Sequence, residues 1–216
     1  MSAFINAANA YISATYVTTA TQPLTIMCRF NLPSIVVRYR DIISLDPNIT
    51  LQTFTDGITL NFGTGNSDNL GPLLAINTWY HAAYVCVPTS TTSRQIYGYL
   101  NGDLVVNVTD TASTFAATTR LVVGNNRVST NAGLQGQIRD VRVWNRALTA
   151  TNILEEKNSV VPFNDEGLIS FLPLDTSLVR DQGSSRFVWT NTAGVTLQHG
   201  GMRGSYPSRN PRTLRF

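Results

Sequence analysis

The spacing of its turns is what most constrains this chain. Short runs rich in β-branched and aromatic residues occupy 24–30 (LTIMCRF), 35–39 (IVVRY), 49–54 (ITLQTF) and 58–62 (ITLNF). Pro33-Ser34, Asp46-Pro47-Asn48 and Asp56-Gly57 fall between them. An Asp-Gly pair between alternating runs marks a hairpin, because the turn needs positive φ and glycine supplies it. In 58–62, Ile58, Leu60 and Phe62 share one face, and Thr59 and Asn61 the other. After a polar loop at 63–72 the pattern resumes with a long strand at 79–87 (WYHAAYVCV) and a partner at 96–100 (IYGYL). A tight turn at Asn101-Gly102 leads into LVVNV, followed by strands at 120–124 (RLVVG) and 136–144 (GQIRDVRVW). In the last of these Ile138, Val141 and Val143 are apolar. GLISFLPLD at 167–175 reads as another strand, and 187–198 has room for one or two more. Helical patterning is confined to about 149–157, where Thr149 would cap, Ile153 and Leu154 form the apolar side, and Glu155, Glu156 and Lys157 would be solvated. Many short strands at regular spacing imply an all-β, antiparallel two-sheet sandwich with one short helix.

Composition narrows the partners. Hydrophobic residues make up 43 %, enough for a sizeable core, and only 13 % of residues are charged. The polar surface is therefore largely Thr, Ser and Asn, which suits wet contacts with a neighbour or a sugar. A net charge of +3 is too weak to indicate nucleic acid, which needs Lys and Arg concentrated on one face. Lys157 is the one lysine among sixteen basic residues. Arginine is the better donor for bidentate contacts, although a GC-rich genome would give the same bias. Cys28 and Cys86 sit in apolar runs and read as buried, inert thiols. No stretch approaches a membrane span, and the N-terminus lacks the basic and apolar segments of a secretory signal.

Catalytic and metal constellations are missing. The three glutamates, Glu155, Glu156 and Glu166, form no E-x-D-x-E strand of the kind a glucanase uses to flank a glycosidic bond. There is no G-x-S-x-G elbow, no zinc-type ligand spacing and no phosphate loop. His81, between aromatic neighbours, reads as a hydrogen-bonded core residue rather than a catalyst. Asn66, Ser67, Asp68 and Asn69 make one oxygen-rich loop, and Asn125 and Asn126 another. Calcium wants six to eight oxygens and usually several carboxylates, so turn-forming polar residues are the better reading. No metal, cofactor or catalytic residue is expected.

One group of residues carries a family resemblance. Trp79, His81 and Ala83 are followed by Asn101 and Gly102, then Gly124, then Gly136, Ile138, Val141, Arg142, Val143, Trp144, Asn145, Arg146, Ala147 and Leu148 before the helix. This series resembles the laminin-G-like jelly-roll family, the concanavalin-A-like sandwich. PLTIMCRF is similar to the family's early strand, with Arg29 where an aromatic is usual, and GLISFLPLD with RDQGSS (180–185) is similar to its closing strand and turn. The resemblance covers about residues 4–198. It implies a jelly-roll domain over 1–198 and leaves 199–216, a basic segment read as an extended C-terminal arm, unexplained.

Because this scaffold carries lectins, enzymes, adhesion modules and virus-particle proteins, function is a separate question. The first expectation is a non-enzymatic structural protein of a virus particle. In particular, it would be a bacteriophage capsid decoration (cement) protein, assembled in the host cytoplasm and placed on the capsid surface. Its partners would be the major capsid protein or other virion proteins and sister copies in a homo-oligomer, by analogy a trimer. An arm containing Arg203, Tyr206, Arg209, Arg212, Arg215 and Phe216 would grip the neighbour. The alternative is a carbohydrate-binding module or an adhesin or tail-fibre lectin. Glycan contacts would come from Tyr97 and Tyr99, which share a face by alternation, and from Trp189; Tyr11, Tyr16 and Tyr80 are further aromatic candidates. Deleting residues 201–216 is expected to leave the sandwich folded and to weaken assembly. Light scattering checks this, and an oligomer unchanged by the deletion would overturn the arm reading.

Overall fold

The computed structural model describes residues 2–5, 10–19, 21–36, 38–46, 49–64, 68–111, 120–125, 133–175, 177–185, 187–191 and 195–198. The expected arm lies outside these residues, and with it Arg203, Tyr206, Arg209, Arg212, Arg215 and Phe216. In chain order the strands are β1 (Ser2–Ile5), β2 (Ile12–Thr15), β3 (Leu24–Asn31), β4 (Arg40–Asp46), β5 (Ile49–Thr53), β6 (Thr59–Thr64), β7 (Leu70–Leu73) and β8 (Trp79–Pro88). They continue with β9 (Arg94–Leu100), β10 (Asp103–Asp110), β11 (Arg120–Val123) and β12 (Gly136–Trp144). The helix α1 (Ala150–Asn158) follows, then β13 (Leu168–Leu172), β14 (Thr190–Asn191) and β15 (Val195–Gln198). No described helix is long and apolar enough to cross a membrane.

The strands form two antiparallel sheets. The first runs β10-β9-β8-β3-β12-β1-β15, with β13 also paired to β12; the second runs β14-β2-β11-β4-β5-β6-β7. Between them lies the main core, which includes Ile26, Cys28, Phe30, Leu51, Phe62, Tyr84, Ile96 and Val143. Each large apolar side chain buried there contributes about 1.5–3 kcal/mol. A smaller cluster of Met27, Ala83, Val85, Tyr99, Trp144, Ile153 and Phe171 lies on the other face of the first sheet, under α1. The alternation Ile26-Met27-Cys28 and Ala82-Ala83-Tyr84 divides neighbouring residues between the two.

The expected turns are present. Gly57 has φ +78°, and Phe54 N–H donates to Thr59 O at 2.7 Å across the β5–β6 hairpin. A Cβ at Gly57 would lie 2.0 Å from the Val36 carbonyl oxygen, so no other residue fits. Asn101 and Gly102 have φ +53° and +92°, the pair of positive values a type I′ hairpin needs. The Asn101 side-chain oxygen accepts from His81 N–H at 3.0 Å, tying the turn back to β8. Thr149 caps α1 as expected, through a reciprocal capping box with Asn152. Both cysteines are buried and free, and burial pushes the Cys86 thiol up to about 11.

Two expectations are corrected. The described residues of the run 35–39 form no strand; β4 begins at Arg40 and Ile35 is exposed. Fully buried Arg40 organises the segment instead, donating from Nε to Leu134 O and from its two terminal nitrogens to Ser34 O and Gln135 O. The second correction is Glu156, which is not solvated. It is buried, accepts from Arg142 at 2.5 Å, and accepts the backbone N–H groups of Phe163 and Asn164 at 2.8 and 2.7 Å. Arg142 also donates to the carbonyls of Glu156 and Ser159, so the pair fastens the C-terminal end of α1 to β12.

Phe62 of β6 lies directly against Gly98 of β9, with ring carbons 2.7–2.8 Å from where a Cβ at 98 would sit. Its ring also meets Tyr84 at 5.9 Å between centroids. Gly98→Ala must therefore push the sheets apart locally, and should cost about 1–3 kcal/mol. The check is the urea midpoint, and a midpoint equal to that of the unsubstituted protein would contradict this packing.

Candidate functional site

The second sheet turns its polar face away from the core. Residue pairing places Ser13, Val122, Ser44, Thr50 and Gly63 in one row across β2, β11, β4, β5 and β6. The next row holds Asp41, Gln52 and Asn61. Small side chains thus line the middle, with longer ones at the ends. At one end Arg120 lies along β2. Its guanidinium reaches Tyr11 OH and Ser13 Oγ, both at 3.1 Å, and sits 5.1 Å from the Tyr11 ring centroid.

At the other end residues from three segments meet. Tyr39, just before β4, packs edge-on against Phe54, 5.4 Å between centroids. Its hydroxyl donates to Asp68 Oδ2 at 3.2 Å, and the Asn61 amide donates to Asp68 Oδ1 at 2.5 Å. Asn61 Oδ1 accepts Asn69 N–H at 2.9 Å, and the Asn69 amide donates to Phe62 O, so the 68–69 segment is clipped onto β6. Gln52 is paired with Asn61, and its Nε2 lies 3.3 Å from a Cβ built on Gly63; the glycine leaves that space open. Partial burial and the neighbouring carboxylate of Asp68 raise the Tyr39 hydroxyl above its ordinary pKa. Tyr39 and Gln52 are half-exposed and Asp68 is exposed. Asn61 is buried and holds Asp68 in place, so the accessible groups are the Tyr39 ring, the Asp68 carboxylate and the Gln52 carboxamide, which can stack on an apolar face and bind paired hydroxyls.

The aromatic residues expected to contact glycan sit elsewhere. Tyr97 and Tyr99 do share a face of β9, opposite Asn107 and Leu104 of β10. That face packs into the cluster beneath α1, where Tyr99 is buried and Tyr97 half-buried, so cross-strand packing accounts for the pair. Trp189 is buried, not a platform. Its Nε1–H donates to Asp181, which also accepts Ser170 Oγ–H and the N–H groups of Phe171, Gly183 and Phe187. Tyr16 is buried, and burial pushes its hydroxyl up to about 12. Tyr80 accepts Ala75 N–H at the core edge. Tyr11 alone of the candidate tyrosines lies on the polar face of the second sheet. Sequence alone does not reveal the Tyr39 group, because 35–39 reads as strand and residues 39, 52, 61 and 68 come from separate segments. The one available signal was Asp68 in its polar loop.

The glutamates are otherwise engaged or remote from this face: Glu156 in its buried pair, Glu155 exposed on α1, and Glu166 exposed at 3.6 Å from Arg146. No group of three or more His, Cys, Asp or Glu among the described residues is arranged to hold a metal. Asp68 is bonded to Tyr39 and Asn61, and Asn125 is buried with its carbonyl accepting from Ser44. Asn66, Ser67 and Asn126 lie outside the described residues.

The Concanavalin A-like lectin/glucanases superfamily matches residues 6–154, more than half of the chain. The chain belongs to that superfamily. No curated protein sequence matches it. Among solved structures, this chain is similar to a candidate carbohydrate binding protein of Bacteroides ovatus, with a TM-score of 0.67 and 20 % identity over 91 % of this chain. It spans 59 % of that protein's length. The native heptameric SAP-like pentraxin of Limulus polyphemus superposes with a TM-score of 0.65 and 15 % identity, covering 90 % of this chain and 93 % of its own. Trypanosoma rangeli sialidase in complex with sialic acid superposes less closely, with a TM-score of 0.53 and 13 % identity over 72 % of this chain and 29 % of that one. At these identities the likenesses establish the superfamily's sandwich and nothing finer.

His81 is buried on β8, and its Nδ1 has no hydrogen-bond partner among the described residues. Burial, reinforced by Arg29, Arg142 and Lys157, lowers its pKa to about 3. The folded protein thus binds one proton fewer than the unfolded chain between about pH 6.5 and pH 3. Stability should fall as pH drops through that window, by about 1.4 kcal/mol per pH unit from this residue. His81→Gln should flatten that slope. Urea denaturation at pH 7 and pH 5 checks it, and equal acid sensitivity in both proteins would refute it.

Proposed function

We propose that this domain is a non-catalytic carbohydrate-binding module that takes a neutral glycan at the Tyr39 end of the second sheet. The observation that carries the reading is the half-exposed Tyr39 ring, its hydroxyl held by Asp68, with Asn61 and Gln52 alongside. An apolar sugar face suits the ring, and adjacent hydroxyls suit a carboxylate and a carboxamide set side by side. Asp68 disfavours an acidic sugar here by like-charge repulsion, and Tyr39 and Asn61 are available to position the carboxylate without a metal. The superfamily match and the likeness to the Bacteroides ovatus protein support the same class of ligand. A role as a capsid decoration protein, with a major capsid protein as partner, draws on none of these observations.

Screening the protein on a glycan array and following hits by calorimetry tests the reading. Tyr39→Ala and Asp68→Asn should each weaken binding at least about fivefold, as expected for losing a stacking surface or one charge-assisted hydrogen bond. Circular dichroism should be unchanged. A hit whose affinity survives both substitutions would place the site elsewhere.

A further inference from the structure

The first sheet carries a second constellation, on its outer face beyond α1. Trp79, Asn31, Gln137 and Phe4 stand in one cross-strand row over β8, β3, β12 and β1. Their chain neighbours Tyr80, Phe30, Ile138, Ala3 and Ile5 pack toward the core, so these four point outward. Trp79 is 36 % exposed, whereas Trp144 and Trp189 are at most 5 % exposed. The Arg139 guanidinium sits 4.5 Å from the Trp79 ring centroid. Stacking fixes the guanidinium against the ring.

Arg139 differs from Arg29, Arg142 and Arg146. Arg29 is paired with Asp140 at 3.0 Å, Arg142 with Glu156 and Arg146 with Glu166. Arg139 has no carboxylate within ion-pair distance among the described residues, and its Nε is buried with no hydrogen-bond partner. Asp140, next in sequence, is taken by Arg29. A guanidinium with no carboxylate partner, fixed on a half-exposed indole, can turn its two terminal nitrogens to a planar anion.

We infer that Trp79 and Arg139 form a second binding site, for a carboxylated sugar of the uronic acid type. The terminal nitrogens of Arg139 take the carboxylate, and the exposed indole of Trp79 faces the sugar ring. The site lies on the opposite sheet from the Tyr39 cluster and does not depend on it. It also has the opposite charge preference, so one ligand class cannot account for both.

The test uses trigalacturonate, its fully methyl-esterified form and a glutamate peptide of equal charge. Trp79 is the exposed one of three tryptophans, so intrinsic fluorescence reports on the site directly. Trigalacturonate should quench or shift this emission in a saturable way, and the methyl ester should bind at least about tenfold more weakly. Arg139→Gln should abolish the response. Arg139→Lys, which keeps the charge without the fork, should lose most of it while melting at the temperature of the unsubstituted protein. The absence of any response at millimolar trigalacturonate would overturn the inference. So would an equal affinity for the ester, an unaltered affinity in both Arg139 variants, or tighter binding of the peptide than of the sugar.

Discussion

The architecture depends on one break in one strand. β12 is central to the first sheet, paired along one edge with β3 throughout and along the other first with β1 and then with β13. The change of partner falls at Asp140, which has φ +52° and shares with Val141 the place opposite Cys28. This is a β-bulge, and its extra residue restores Val141 and Val143 to the core face already occupied by Ile138. Without it, alternation would turn Val141 and Val143 out of the core and Arg142 into it. The positive φ is tolerated because Asp is among the residues that accept it, and because Asp140 is held at both ends: its carboxylate accepts from Arg29, and its N–H donates to Pro173 O.

From that bulge follows the attachment of α1. Arg142 emerges on the outer face, where it reaches Glu156 and the carbonyls at the helix end. Trp144, two residues on, donates to Asn164 O and fills the cluster beneath the helix. Thr25 Oγ accepts Leu148 N–H and donates to Arg146 O, stitching the approach to the helix onto β3. A buried ion pair is weak evidence for net stability, because desolvation offsets the attraction. Here four further hydrogen bonds to carbonyls and N–H groups share the two ions, and what they secure is the position of one helix on one face. That helix covers Tyr99 and stops short of Trp79, so the same contacts decide which aromatic residues of the sheet are sealed and which remain accessible.

Much of this was legible in the sequence, where a single local rule sufficed. Asp56-Gly57 and Asn101-Gly102 specify hairpins through φ alone, and Thr149 specifies a helix start through one hydroxyl. The apolar spacing of Ile138, Val141 and Val143 is itself the signature of the bulge, since an interval of three breaks strand alternation. What was not legible depends on pairing between distant segments. Tyr97 and Tyr99 share a face by alternation, but alternation does not say which face a helix will cover fifty residues later. Trp189 is buried because Asp181 lies at the centre of a loop whose five donors are scattered over twenty residues. Glu156 looks like any helix-surface glutamate until Arg142 is brought beneath it. Tyr39 meets Asp68 only after β4, β5 and β6 have paired.

The two candidate surfaces differ in a way that follows from how each sheet is covered. The first sheet buries both faces over most of its area, one against the second sheet and one under α1, and its basic residues are nearly all paired by the elements that cover it. Arg139 escapes pairing because it stands at the margin of that cover, on the near side of the bulge. The second sheet has no helix on its polar face among the described residues. Its side chains there instead bond to one another, Arg120 to Tyr11 and Ser13, Tyr39 and Asn61 to Asp68. Such a network holds polar groups in fixed directions at little cost to stability, because each is already satisfied, and it still leaves lone pairs and an aromatic edge for a ligand. A polar ligand at the Tyr39 end of that face therefore meets groups that are already oriented, which lowers the ordering cost of binding. The first sheet offers a guanidinium on an indole, the second a carboxylate beside a phenol ring and a carboxamide, and the ligands they suit differ accordingly.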